Sequence, residues 1–138
     1  IFMEKNILGI SPNELELMEY MWDSPSPQTS ITLGNYFVKW KNGYLHNLLK
    51  CLTEKKFLKI SGTQLVGTHY VKLYTPNITK EEYGAQILAS LSLDESSIPK
   101  IAMAFCKLST NCKLESIICN MQEMVDDFVK KSNIEDEK

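Results

Sequence analysis

The order of apolar and polar positions predicts three short helices at the start of the chain. Ser11-Pro12-Asn13-Glu14 has the form of a helix start. Ser11 suits the N-cap, Pro12 the first helical position, and Glu14 the reciprocal position of a capping box. Leu15, Leu17, Met18, Met21 and Trp22 follow, and the i, i+3, i+7 set Leu15, Met18 and Trp22 is expected to be the buried stripe. Asp23-Ser24-Pro25-Ser26-Pro27 ends this helix, because neither proline can continue it. Thr29 or Ser30 caps a second helix through Ile31, Leu33, Tyr36 and Phe37, and Lys41-Asn42-Gly43 breaks the pattern. A third helix runs from about Tyr44 to Lys56. Leu45, Leu48, Leu49 and Leu52 form its apolar face. Tyr44, His46, Asn47, Lys50 and Thr53 form the opposite one.

Beyond Lys55-Lys56 the pattern changes to that of a hairpin. Phe57 to Ser61 reads as a strand with Leu58 and Ile60 on one face, Gly62 to Thr68 as the turn, and His69 to Tyr74 as the returning strand. Helical patterns then resume. Thr79-Lys80-Glu81-Glu82 starts a helix carrying Tyr83, Ile87, Leu88 and Leu91, and Leu93 to Ser97 interrupts it. Ile98-Pro99-Lys100 opens another through Leu108, and Lys113 to Lys131 forms the last, with Leu114, Ile117, Ile118, Met121, Val125 and Phe128 in a near-heptad stripe. The expected fold class is α+β and mostly helical: an N-terminal winged helix-turn-helix (three helices plus a β-hairpin), then a helical C-terminal region. Residues 7–77 are expected to form the winged-helix domain, 78–132 the helical C-terminal region, and 1–6 and 133–138 flexible ends; the roles of the first two, DNA binding and dimerisation, follow from the charge and the resemblance below. Met3 is the natural start candidate, which makes Ile1 and Phe2 extraneous.

Composition narrows the function. At 138 residues and 43% hydrophobic, the chain is one domain-sized unit and too apolar to be disordered. No uncharged apolar run reaches the length of a membrane span, and without a secretory signal a cytoplasmic location is expected. All 15 basic residues are lysine, and the net charge is −2. The absence of arginine excludes every chemistry that needs a guanidinium fork. The charge is segregated: residues 38–72 carry +6, between flanks of −4 each. That block covers the third helix and the hairpin, the parts of a winged helix that enter the major groove and rest on the DNA backbone.

Double-stranded DNA is therefore the expected partner. Tyr44, His46, Asn47 and Lys50 would face the major groove; Asn47 suits adenine, and Lys50 guanine or a phosphate. Lys41, Lys55, Lys59 and Lys72 would contact phosphates. Thr29, Ser30 and Asn42 complete the candidate DNA-binding set. A solvated lysine face is the alternative reading of the charge. Winged helices also serve as protein-interaction modules, so an adaptor or antirepressor that binds no DNA is the rival function.

Cys51, Cys106, Cys112 and Cys119 contain no C-x-x-C pair and match no common zinc module. No metal, cofactor or small-molecule ligand is expected, and the thiols are expected to be reduced. No nucleophile, base or phosphate-loop constellation stands out, so no enzyme is expected.

Several landmarks carry a resemblance. Ile10-Ser11-x-x-Glu14-x-x-x-Met18-x-x-x-Trp22 is similar to the opening helix of the penicillinase-repressor family of bacterial winged-helix regulators. Trp40, Leu48-Leu49-x-x-Leu52, Lys55-Lys56, Tyr70-x-x-x-Tyr74-x-Pro76 and Glu81-Glu82-Tyr83 resemble later landmarks of that family, in order. The resemblance covers about residues 8–130. It implies a homodimer that binds promoter palindromes and represses transcription, with interlocked C-terminal helices. Ile87, Leu91, Ile101, Phe105, Leu114, Ile118, Met121, Val125 and Phe128 are then the dimer-interface candidates. The sequence also departs from the family. Lys41-Asn42-Gly43-Tyr44 replaces its Ser/Pro-Lys-Thr entry, Cys51 replaces an arginine, and Lys56 a usual glycine. The loop from Ser61 to Gly67 is long. Ala104-Phe105 stands where some relatives have a cleaved Asn-Phe bond, and the cysteines lack the C-x-C pairs of copper-responsive members.

Overall fold

The computed structural model describes residues 9–109 and 111–136, with side chains through Ile134. The start at Met3 and the end at 1–6 lie outside the described residues. The first helix, α1 (Pro12–Asp23), begins with the expected capping box: Glu14 N–H donates to Ser11 Oγ at 3.2 Å, and Ser11 N–H donates to Glu14 Oε1 at 2.9 Å. Its buried face differs from the expected stripe. Leu17, Met18 and Met21 are buried, whereas Leu15 and Trp22 are half-buried. The face is turned because α1 packs against both the third helix and the hairpin. Trp22 lies at the margin, where its indole N–H donates to the Ile78 carbonyl at 2.9 Å.

Thr29 caps α2 (Ser30–Tyr36) reciprocally with Thr32. The third helix, α3 (Asn42–Glu54), buries all four leucines of its expected stripe. It ends in a Schellman motif, with Phe57 N–H donating to the Leu52 carbonyl and Lys56 N–H to that of Thr53. Lys56 itself takes the left-handed conformation, φ 66°.

The hairpin corrects the sequence reading. β1 (Leu58–Val66) and β2 (His69–Pro76) pair antiparallel up to Val66 and His69, so Gly62 to Val66 are strand and only Gly67-Thr68 turns. Gly67, at φ 64°, occupies the first turn position, where a type II′ turn requires glycine. Gly62 instead follows a bulge: the register shifts between Ile60 and Gly62. Leu58 is buried while Ile60, on the same strand face, is largely exposed, because the hairpin runs out beyond the core. A two-way backbone bridge from Gln28 to Tyr74 (3.0 and 2.8 Å) ties the hairpin to the segment before α2.

The chain divides into two compact units, Ile1–Ser92 and Leu93–Lys138. The helix after the hairpin, α4 (Lys80–Ser90), belongs to the first unit. Its Tyr83 is buried, with ring contacts to Phe57 at 5.6 Å and Trp22 at 5.8 Å. The second unit holds α5 (Ser97–Leu108) and α6 (Leu114–Asp136), and α6 continues past residue 132. Two cysteines expected as reduced thiols, Cys106 and Cys112, form a disulfide across the connection between these helices; Cys51 and Cys119 are free. None of the described residues of this second unit is buried.

Candidate nucleic-acid interface

The leucine stripe of α3 decides which side chains face outward. With Leu45, Leu48, Leu49 and Leu52 in the core, Asn42, Tyr44, His46, Asn47, Lys50 and Cys51 are exposed. No side chain caps the start of α3 at Lys41. The Tyr44 hydroxyl accepts from Asn13 Nδ2 at 2.8 Å, and its ring meets Trp40 edge-on at 6.0 Å. Trp40 in turn stacks on Phe37 at 4.4 Å. Tyr44 is therefore held toward α1 and the aromatic α2–α3 connection rather than toward the hairpin.

The hairpin and α3 enclose a groove of about 320 Å³ lined by His46, Lys50, Thr53, Glu54, Ile60, Lys72 and Tyr74. Three predicted site residues, His46, Lys50 and Lys72, thus meet in one place. Burial pushes the Tyr74 hydroxyl above the usual tyrosine range, so it remains a neutral hydrogen-bonding group at neutral pH. Asn47 projects from α3 outside this groove, and Lys59 is exposed on β1 opposite Thr75. Among the described residues Lys41, Lys50, Lys59 and Lys72 form no ion pair.

Thr29 and Lys55 are engaged elsewhere. Thr29 is 3% exposed, and its hydroxyl accepts from Thr32 N–H at 3.1 Å to cap α2. Ser30 beside it is half-buried. The Lys55 ammonium donates to both carboxylate oxygens of Glu14, at 3.0 and 3.1 Å. Since Glu14 is buried, this pair fastens the end of α3 to the start of α1. Lys39 is likewise paired, with Glu16, and its ammonium lies 5.3 Å from the Trp40 ring.

Sequence reasoning missed the distal hairpin and the aromatic run. Leu65 and Tyr70 face each other near the hairpin tip, 56% and 71% exposed. Tyr20 stacks on Tyr36 at 4.1 Å, and Tyr36 continues to Phe37. Alternation in β2 was the available signal for Tyr70; nothing local marks the Tyr20–Tyr36 contact.

Three helices, a bulged hairpin and a bridge at its base complete the picture. The first unit is a winged helix. No protein-family model matches the chain, and a comparison with curated proteins gives no match. Among solved structures the chain is similar to a possible transcriptional regulator from Methanosarcina mazei Go1. The TM-score is 0.51 and the identity 21%, over 78% of this chain and 85% of that one. A MepR mutant from a multidrug-resistant S. aureus clinical isolate gives a TM-score of 0.47 at 12% identity, over 91% of this chain and 84% of that one. The likeness to the first is one of fold.

The second unit carries most of the predicted dimer residues. Ile101 is half-buried, and Phe105, Leu114, Ile118, Met121, Val125 and Phe128 are exposed. In the first unit Ile87 packs against the core and Leu91 is exposed. Among the described residues no helix is long and apolar enough to cross a membrane, and no group of three or more His, Cys, Asp or Glu could hold a metal ion.

Proposed function

We propose that this protein is a DNA-binding transcriptional regulator, a repressor that acts in the cytoplasm as a homodimer on a palindromic operator. Membership of the penicillinase-repressor family is part of this reading and rests on the motif resemblance. The observation that carries it is the exposed face of α3: His46 and Lys50 line one groove with unpaired Lys72, and Asn47 is exposed outside it, all within the +6 block of the chain. Asn47 and His46 read base edges, Lys50 reaches guanine or a phosphate, and Lys41, Lys59 and Lys72 fix register on the backbone.

Dimerisation is supported by the coreless second unit. Phe105 and Phe128 are 64% and 71% exposed, an arrangement that a lone pair of helices keeps in water at a cost. A second copy supplies the missing cover, and pairing by a two-fold axis matches a palindrome.

The test is fluorescence anisotropy with a duplex from the promoter region next to the protein's own gene. Asn47→Ala with Lys50→Ala should weaken binding about tenfold or more, at about 1–3 kcal/mol per good base contact, and leave the dimer intact. A protein-interaction module is the competing reading, favoured by the lack of arginine and by exposed Tyr36 and Val38 at the α2–α3 connection. It predicts no change on that double substitution.

A further inference from the structure

The second unit contains a chemical feature that DNA binding does not use. Cys106 lies in the last turn of α5, and Cys112 just before α6; their Cα atoms are 5.2 Å apart and their sulfurs are bonded. That Cα distance lies within the ordinary disulfide range. Both residues are half-buried, so small thiol reagents reach them. Cys51 and Cys119 are more exposed yet unpaired, so geometry and not exposure selects the pair. The bond matters mechanically because α5 and α6 share no buried core. The cross-link ties the end of α5 to the start of α6, a corner where no described side chain is fully buried. Phe105 and Leu114, on either side of that corner, are two of the residues assigned to the dimer.

We propose that Cys106 and Cys112 are a reversible redox pair whose disulfide locks the α5–α6 corner in the shape that pairs with a second copy. The locking role rests on the dimer reading above; the redox pair does not. The oxidant is a small-molecule disulfide. One cysteine thiolate attacks it, forming a mixed disulfide and releasing one small thiolate. The other cysteine thiolate attacks the protein sulfur of that mixed disulfide and releases the second. Two protein thiols thereby lose two protons and two electrons, and the small disulfide gains them to become two small thiols. Excess small thiol drives the same steps backwards.

The experiment equilibrates the full chain in buffers of oxidised and reduced glutathione at different ratios, then traps thiols with a maleimide for mass spectrometry. Two adducts, at Cys51 and Cys119, are expected in the oxidised buffer and four in the reduced one, with reversible passage between them. Sedimentation under the same buffers should give a dimer about tenfold weaker when reduced. A Cys106→Ser/Cys112→Ser variant should show the weaker value in both. Four adducts in oxidised buffer would overturn the pair. Equal dimer constants in the two buffers would overturn the lock. A chain that is monomeric in both buffers overturns the dimer reading and the lock with it, while the adduct count still judges the pair.

Discussion

Replacing Lys56 with glycine should stabilise the protein. Lys56 follows the end of α3 at φ 66°, where the Schellman motif turns the chain back so that Phe57 N–H reaches the Leu52 carbonyl at 2.9 Å. A side chain with a Cβ held in this region costs roughly 1–2 kcal/mol. Glycine relieves that cost but adds freedom to the unfolded chain, which offsets roughly 0.4–1 kcal/mol. The net gain is about 0.5–1 kcal/mol, equivalent to a Tm rise of about 2–8 °C for a unit of this size. Urea and thermal unfolding measure it directly. A Lys56→Ala variant serves as control, because it removes the ammonium and keeps the Cβ. It should remain within about 0.5 kcal/mol of the parent. A glycine variant that melts at or below the parent, with the alanine variant unchanged, would refute the left-handed assignment and the motif built on it.

Removing Lys55 leaves the buried Glu14 carboxylate without its ammonium, although Lys55 itself is 39% exposed. Lys55→Ala should therefore destabilise by about 1–2 kcal/mol, read as a lower urea midpoint; no change would mean the tie is not formed. Phe128→Asp should raise the dimer dissociation constant at least about 30-fold, as loss of a central aromatic anchor does, and sedimentation checks this. The Tyr74 and Tyr83 hydroxyls are raised by burial. Their folded values exceed their unfolded ones, so their contribution is complete below about pH 10 and is lost as pH rises through the folded values. Ultraviolet titration should show two late phenolate transitions, and Tyr74→Phe should remove one of them.

What could be read in the chain was local. Ser11 and Glu14 sit three residues apart, so the capping box was legible, as was the leucine stripe of α3, whose partners share one helix face. The interactions that escaped reading span distance. Lys55 looked like a phosphate contact because its partner, Glu14, stands 41 residues earlier. Thr29 was rightly read as a cap candidate, but its burial depends on packing that no local pattern encodes. Glycines at both ends give Gly62 to Thr68 the look of a turn; pairing with β2 absorbs Gly62 beside a bulge instead. The face of α1 turned because two neighbours cover it. Cys106 and Cys112 meet because two helices end and begin at one corner, which spacing alone does not show.

The central claim is that the exposed side of α3 and the hairpin hold DNA, and the salt dependence of binding tests it most directly. The chain would be titrated against a duplex from the promoter region next to its own gene at increasing salt. With about six phosphate contacts per dimer, from Lys41, Lys59 and Lys72 of the two copies, log K should fall against log[salt] with a slope near −5. A flat dependence, or no binding by the folded dimer even at low salt, would contradict it.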